Sequence, residues 1–428
     1  MAALPAPTYV IEPTTLAPGP WGDAPRDWPL LGETVGARVR RELGAAGLRE
    51  APDGLRLPDT LLVTAGFVRG FLEGARGTTG PAVAALGPSL AADRCRARSW
   101  LGEVPAPDGA LRVPLVVAPG DGRSALEIAR DPATAVVVVD PEEQSKGVPT
   151  PRVYAEPGSD GITFSGCAHV SLDLTHRTHL LQANLDLLGS EFLALQGSKA
   201  KLALRYLWGR LTPGRTLLSR VGTGCTIHPT AVVEACRIGD GVEIGAYAVV
   251  RGSVIGDGAT IEDGAHVHVS VLGERARVAR QTAIFLCLLM EGAHSAQAVM
   301  QTCVLGRHSA TVSDTWFLDV RVGSVEPGDD GLLPGRSFPV FVEAGEGHPR
   351  EGTFVDSGSR LLGCTVGHET MVAAGVVVAP GRSLPNRATI VGPKDYLLAR
   401  TALDEDAPHE GGGGIFRVEE GRLERVDG

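Results

Sequence analysis

The sequence predicts two unlike parts, an α/β layer in the first half and a prism of short stacked strands in the second. Three observations predict this. From Val221 onward an aliphatic residue leads each of a series of short rows, spaced six, six and five residues apart. Within the rows the second position is repeatedly Gly and the fifth is small. Over the first 170 residues, by contrast, apolar runs alternate with amphipathic stretches, the pattern of strand and helix in one layer.

The leading residues are Val221, Ile227, Val233, Ile238, Ile244, Val250, Ile255, Ile261, Val267, Leu272 and Val278. Val221, Ile238, Ile255 and Leu272 therefore recur at seventeen residues. Gly stands second at 222, 239, 245, 256 and 273, and the fifth place holds Cys225, Ala231, Ala248, Ala259, Ala265 and Ala276. Each row reads as a strand and a turn. The aliphatic points into a narrow prism, the small residue avoids the adjoining wall, and the Gly serves a positive φ or a close backbone approach. Three rows make one triangular coil, and coils stack by parallel hydrogen bonding. Hairpins would alternate with period two instead. The pattern resembles the hexapeptide repeat of left-handed parallel β-helix proteins.

The stride loosens through Leu289, Ser295 and Gln301 and restarts at Leu305. The Pro/Gly-rich stretch 322–352 breaks it and reads as a loop thrown out from the coil. The stride returns at Val366, Val372, Val378, Leu384 and Ile390. The β-helix is thus expected over 216–400, with GPKDYLLAR closing the last coil. Residues 401–428, with DED and GGGG, read as a flexible tail in which IFRVEEGRLERV is a candidate hairpin.

In the first half, 29–48 has the spacing of an amphipathic helix ending at Gly47. DTLLVTAG (59–66) is an apolar run before a helix-like FVRGFLEGAR, and ATAVVVVD (133–140) reads as a buried strand between Pro132 and Pro141. The Leu-rich stretch 178–210 has helical spacing, is broken near Gly197, and is expected to cover the open first coil.

Composition narrows the function. At about 100–200 residues per domain, 428 residues make two or three domains. With 40 Lys plus Arg against 50 Asp plus Glu, the net charge is -10, a poor match to a phosphate backbone. Seven cysteines, an odd number without a C-x-x-C pair, fit reduced thiols in the cytoplasm rather than disulfides or a zinc site. The N-terminus has neither the basic nor the apolar region of a secretory signal. The longest apolar run, Ala283 to Met290, is too short for a bilayer.

An α/β half, the helix HLLQANLDLL (179–188) with its L-L-x-x-N-x-x-L pattern, and a hexapeptide β-helix together resemble the two-domain sugar-1-phosphate nucleotidyltransferase/acetyltransferase family. That family includes the bifunctional enzyme that makes UDP-N-acetylglucosamine. Residues 355–381 are similar to its stretch near the end of the β-helix, with Ser357, Gly358, Leu362 and Gly363 at the matching places. The resemblance spans 178–395. It implies a nucleotidyltransferase-like α/β domain over 1–177 and a helical linker or cap over 178–215. That domain is degenerate. Where active members carry a Gly-rich phosphate loop, this chain has LAPGPWGDAPRDWPLLG, whose prolines remove the N–H donors such a loop needs.

For the β-helix the resemblance implies transfer of an acyl group from acetyl-CoA or another acyl-CoA to a sugar or sugar nucleotide, in a homotrimer. The chemistry needs a base, normally His. His294, near the row VLGRHSA, is the first candidate and His308 the second. His266 and His268, two apart on one strand, face the same side, and His368 sits in a turn and reads as surface. Asp319 is a candidate to orient the acceptor, and Arg321 and Arg336 to hold phosphate or reach a neighbouring groove, together with Glu343 and His348 of the long loop. Two other readings stand beside this one, a non-catalytic trimeric scaffold or sugar-nucleotide-binding protein, and a sugar-1-phosphate nucleotidyltransferase.

Overall fold

A computed structural model describes residues 8–15, 17, 19–96, 98–149, 161–196, 216–296, 298–319, 339–341, 352–357, 359, 361–392, 397–398, 414–419 and 422–426. It holds an N-terminal α/β region and a C-terminal coil of parallel strands.

The N-terminal region is a six-stranded mixed sheet. Its order is Arg49–Glu50, Thr8–Glu12, Leu55–Pro58, Leu111–Val117, Ala82–Leu86 and Ala135–Val139. α1 (Val35–Ala45) starts where the Thr34 side chain accepts from the Ala37 N–H at 3.2 Å, and it buries Val35, Val39 and Leu43, four residues apart. The helix ends at Ala45, and Gly47 follows at φ 87°. α2 (Ala65–Ala75) buries Phe67, Val68 and Phe71 in the same core. α3 (Leu90–Arg96) and α4 (Ala125–Arg130) follow, the latter opened by a Ser124–Glu127 capping box. The strand Ala135–Val139 forms where expected but is not buried. It lies at the sheet edge, Val138 is 40% exposed, and only Val139 is covered.

The C-terminal coil has three faces. The first carries Val232–Glu234, Val249–Arg251, His266–His268, Ala283–Phe285, Val299–Gln301, Trp316–Phe317 and Val377–Val378. The second carries Arg237–Ile238, Val254–Ile255, Val271–Leu272, Leu288–Leu289, Val304–Leu305, Thr365–Val366 and Ser383–Leu384. The third carries Glu243–Ile244, Thr260–Ile261, Arg277–Val278, His294–Ser295, Ala310–Thr311, Met371–Val372 and Ala388–Val391. Ile238 stands opposite Ile255, and Ile255 opposite Leu272, in one buried column. Each such side chain, removed from water, contributes about 1.5–3 kcal/mol.

The second-position glycines answer close approach rather than turn geometry. A Cβ on Gly256 would lie 2.6 Å from the carbonyl carbon of Gly273 in the next coil. The left-handed turns come elsewhere and accept side chains, as at Tyr247, Arg275 and Gln281.

The stride does not loosen after Leu289. It loses one residue. Five residues separate Ser295 from the next inward position, where six separate Val278 from Ile284. The inward residue is consequently Met300, fully buried, and not Gln301. The third-face column also turns polar at Ser295 and Thr311, both buried, which hides it from a search for aliphatics.

Between Trp316–Phe317 and Thr365–Val366 the chain leaves the coil. In that excursion Pro339–Phe341 and Phe354–Asp356 pair antiparallel, and Val340, Val355 and Leu362 form a small core. Residues 414–425, within the expected tail, add Gly414–Glu419 to the third face beside Ala388–Val391 and fold back as Arg422–Arg425.

α5 (Arg177–Gln196) packs elsewhere than over the first coil, and the rest of the expected cap, 197–210, lies outside the described residues. Its Leu180, Leu181, Ala183, Leu187 and Leu188 enter one core with Trp28, Leu30 and Leu31 of the α/β region and Val254, Val271, Leu288 and Val304 of the second face. Buried Asn184 fixes the junction, accepting from the Leu31 N–H at 3.0 Å and donating to the Pro29 carbonyl at 3.1 Å. Val221 in the first coil stays 41% exposed. Among the described residues, the α/β region thus packs on the second face of the prism, and no strand residue of the first or third face joins that core.

Candidate functional site

The open third face carries an outward column of Glu243, Thr260, Arg277, His294, Ala310 and Met371, one residue per coil. His294 is half-buried at its centre. Burial, and then the charge of Arg277 one coil below, push its imidazole below the ordinary His range, with Glu262 pulling the other way. Arg277 is held in turn, its Nε donating to Glu262 Oε1 at 2.7 Å. Glu262 is also 3.8 Å from Arg280. A histidine so placed is neutral near pH 7 and able to accept a proton, with a fixed cation beside it.

Around the edge that joins the third and first faces, apolar side chains stand in solvent. Val299, Val312, Met371 and Trp316 are 37–53% exposed. Scattered exposed apolar residues are normal, but these follow one edge beside His294.

The other expected site residues fall apart. His308 lies in the turn before the next third-face strand, exposed and at φ 54°, its ring over Gly292. Asp319 leaves the first face at the base of the excursion, on the side away from His294. Its carbonyl accepts from the Leu362 N–H at 3.0 Å, and burial pushes its carboxyl up. Arg321, Arg336, Glu343 and His348 lie outside the described residues. His266 and His268 do share a side of the first face, their rings 6.1 Å apart and nearly parallel. Burial, followed by Arg251 and His266, holds His268 below the ordinary range.

His368 is not a surface residue. It is 8% exposed under the arm that links the first strand to α1. Its Nε2 faces Asp23 Oδ2 at 3.0 Å and its Nδ1 accepts from the Arg307 N–H at 2.8 Å, so the proton sits on Nε2. Arg307 pairs with the same Asp23 oxygen at 2.5 Å. Burial alone would raise the Asp23 carboxyl, but the His368 and Arg307 contacts outweigh it and hold the group below the usual range. Trp21 clamps the same arm, donating to the Val366 carbonyl at 3.1 Å while Asn386 donates to the Trp21 carbonyl. This lock joins residues some 345 apart in sequence, and nothing local announces it.

The arm also occupies the carboxyl ends of the first and third sheet strands, where open α/β sheets bind ligands. Thr14 and Arg26 both bond Asp59, at 2.7 Å each, and close that end. A cleft of about 750 Å³ opens at the opposite, amino ends of these strands, lined by Thr8, Val10, Leu55, Leu72, Val117 and Asp121 among others. Its charges are largely tied together, Glu12 to Arg56 at 2.9 Å and Arg56 to the Asp121 carbonyl at 2.7 Å. Among the described residues no group of three or more His, Cys, Asp or Glu is arranged to hold a metal ion. No described helix is long and apolar enough to cross a membrane.

Comparison with known proteins bears on the β-helix. Residues 218–296 match the model of the GMPPB C-terminal domain. That match covers less than a fifth of the chain and falls on the regular coils, including the strand of His294. No curated protein matches the chain. Among solved structures, the chain is similar to the polysialic acid O-acetyltransferase OatWY, at 11% identity and a TM-score of 0.21, over 48% of this chain and 86% of that one.

Proposed function

We propose that the protein is a CoA-dependent acyltransferase acting on a sugar or sugar-nucleotide hydroxyl or amine, with His294 as the general base. The observation that supports this reading most is His294 itself, neutral, half-buried, beside Arg277, and on a face that the α/β region leaves open. The residues present suit an acyl-CoA. Arg277 and Arg280 offer cations for phosphate, and the apolar edge of Val299, Val312 and Trp316 suits a pantetheine arm. An acyl-CoA supplies the activated acyl group. His294 takes the proton of the acceptor as its oxygen or nitrogen attacks the thioester carbonyl, the carbon–sulfur bond breaks and CoA leaves as the thiol with that proton, while burial first and the charge of Arg277 second keep the imidazole unprotonated beforehand.

In this reading the apolar edge packs against a second copy in a homotrimer, and the acyl-CoA lies between neighbouring β-helices. Arg321 and Arg336 are substrate contacts contributed by the excursion. Asp319 belongs to a different edge and is not part of the site within its own chain. The closed carboxyl end of the sheet argues against nucleotidyl transfer. The test is transfer from acetyl-CoA to UDP-N-acetylglucosamine and simpler amino sugars, with the His294→Ala variant. The reading expects a loss of about 10²–10⁴ in rate with folding intact. Unchanged transfer in the variant overturns the role of His294. Absence of acetyl-CoA binding in calorimetry favours the non-catalytic scaffold.

A further inference from the structure

Among the described residues, a buried histidine and the arginine after it fasten the excursion's hairpin to the start of α5. His176, just before α5, is 4% exposed. Its Nε2 donates to the Phe341 carbonyl at 2.9 Å, and its Nδ1 accepts from the Thr178 N–H at 3.3 Å and lies 2.8 Å from the Thr178 hydroxyl. Arg177 Nη1 also lies 3.3 Å from Nε2, but the closer carbonyl and the Thr178 N–H on Nδ1 assign the proton to Nε2, so Nδ1 is bare and the ring neutral. Arg177 donates to the same Phe341 carbonyl and to the Gly381 carbonyl, both at 3.3 Å. Arg98 donates to the Thr178 hydroxyl from the other side.

We infer that His176 is a proton-operated latch that holds the hairpin of Pro339–Phe341 and Phe354–Asp356 against the start of α5. A proton on Nδ1 removes the acceptor that Thr178 uses. It also adds a charge to a buried space that already faces Arg177, Arg98 and His179. From the β-helix side, Arg382, Asp319 and again Arg177 lie around Cys364, so the cations there outnumber the one carboxylate. The hairpin has its own core of Val340, Val355 and Leu362, separate from the two large cores, so it can part from α5 without unfolding them.

Burial, followed by Arg177, Arg98 and His179, holds the imidazole well below its ordinary range. A released ring titrates near 6.5. The latched state therefore loses ground as pH falls below about 6.5, by about tenfold for the first unit.

The test is limited digestion with proteinase K at pH 7.5 and 5.5, each rate normalised to an unstructured peptide. The unmodified protein is expected to be cut within the hairpin strands Pro339–Phe341 and Phe354–Asp356 about tenfold faster at pH 5.5, with circular dichroism unchanged. His176→Gln keeps a donor and an acceptor and cannot gain the charge, so its rate is expected to be slow and flat. His176→Ala is expected to be cut fast at both pH values. Equal normalised rates in the unmodified protein, the same acceleration in His176→Gln, or cleavage spread over the whole chain each overturn the latch.

Discussion

Replacing Gly256 by alanine separates two reasons for which a β-helix keeps its glycines. The new Cβ would stand 2.6 Å from the Gly273 carbonyl carbon, 2.7 Å from the Glu274 nitrogen and 2.9 Å from the Gly273 oxygen. Comfortable carbon contacts begin near 3.5 Å, so the coils must part by roughly 1 Å there. All three atoms are main chain and none can rotate away. The cost is therefore at the upper end for overpacking, about 3 kcal/mol. Gly241→Ala is the control. Its φ is 64° and nothing lies within 4 Å of the added carbon, so it meets only the left-handed penalty, about 1–2 kcal/mol. Arg275, at the matching turn two coils on, already adopts φ 54°. Urea unfolding followed by circular dichroism measures both variants. A Gly241→Ala loss equal to or greater than that of Gly256→Ala would refute coil spacing as the reason for the second-position glycine.

Further outcomes follow from the same contacts. Ile255→Ala removes a buried rung between Ile238 and Leu272 and is expected to cost about 2–5 kcal/mol in the same urea assay, whereas Tyr247→Ala, on a 71% exposed turn, is expected to cost little. Asp23→Ala leaves His368 and Arg307 without their carboxylate under the arm and is expected to cost about 2 kcal/mol, a difference that shrinks as pH falls below about 4 and through the depressed folded value of the Asp23 carboxyl. Burial raises the Asp173 carboxyl to about 6. Its folded value lies above its unfolded one, so its contribution is full below pH about 4 and lost as pH rises through 6, by roughly 3 kcal/mol in all. Asp173→Asn is expected to abolish that slope in a stability-against-pH series. If His294 is the base, acyl transfer is expected to rise with pH through an inflection below 6.5, and Arg277→Gln to shift that inflection upward.

Much of the coil was legible because inward positions repeat and each column needs side chains of one kind. Val233 to Val278 could be read without error, since every coil there has the same length. The reading failed where a coil lost a residue after Ser295, and where Ser295 and Thr311 replaced aliphatics inside. Counting seventeen from Ile284 and allowing one deletion would have found Met300. The pairing of Arg277 with His294 was also within reach, because they stand one coil apart at the seventeen-residue period. The Asp23–His368–Arg307 lock and the His176 junction were not. They depend on how the α/β region lies against the second face, and packing between distant segments leaves no periodic trace. The strand Ala135–Val139 misled for a related reason, since a run of valines does not tell an edge from a centre.

We propose that acyl transfer takes place on the third face beside His294. The most direct measurement is a crystal structure grown with acetyl-CoA or desulpho-CoA. The account expects the pantetheine arm along the edge of Val299, Val312 and Trp316, with the thioester end within reach of the His294 ring and a phosphate on Arg277 or Arg280. Density for the ligand in the cleft at the amino ends of the N-terminal sheet, with the third face bare, would contradict it.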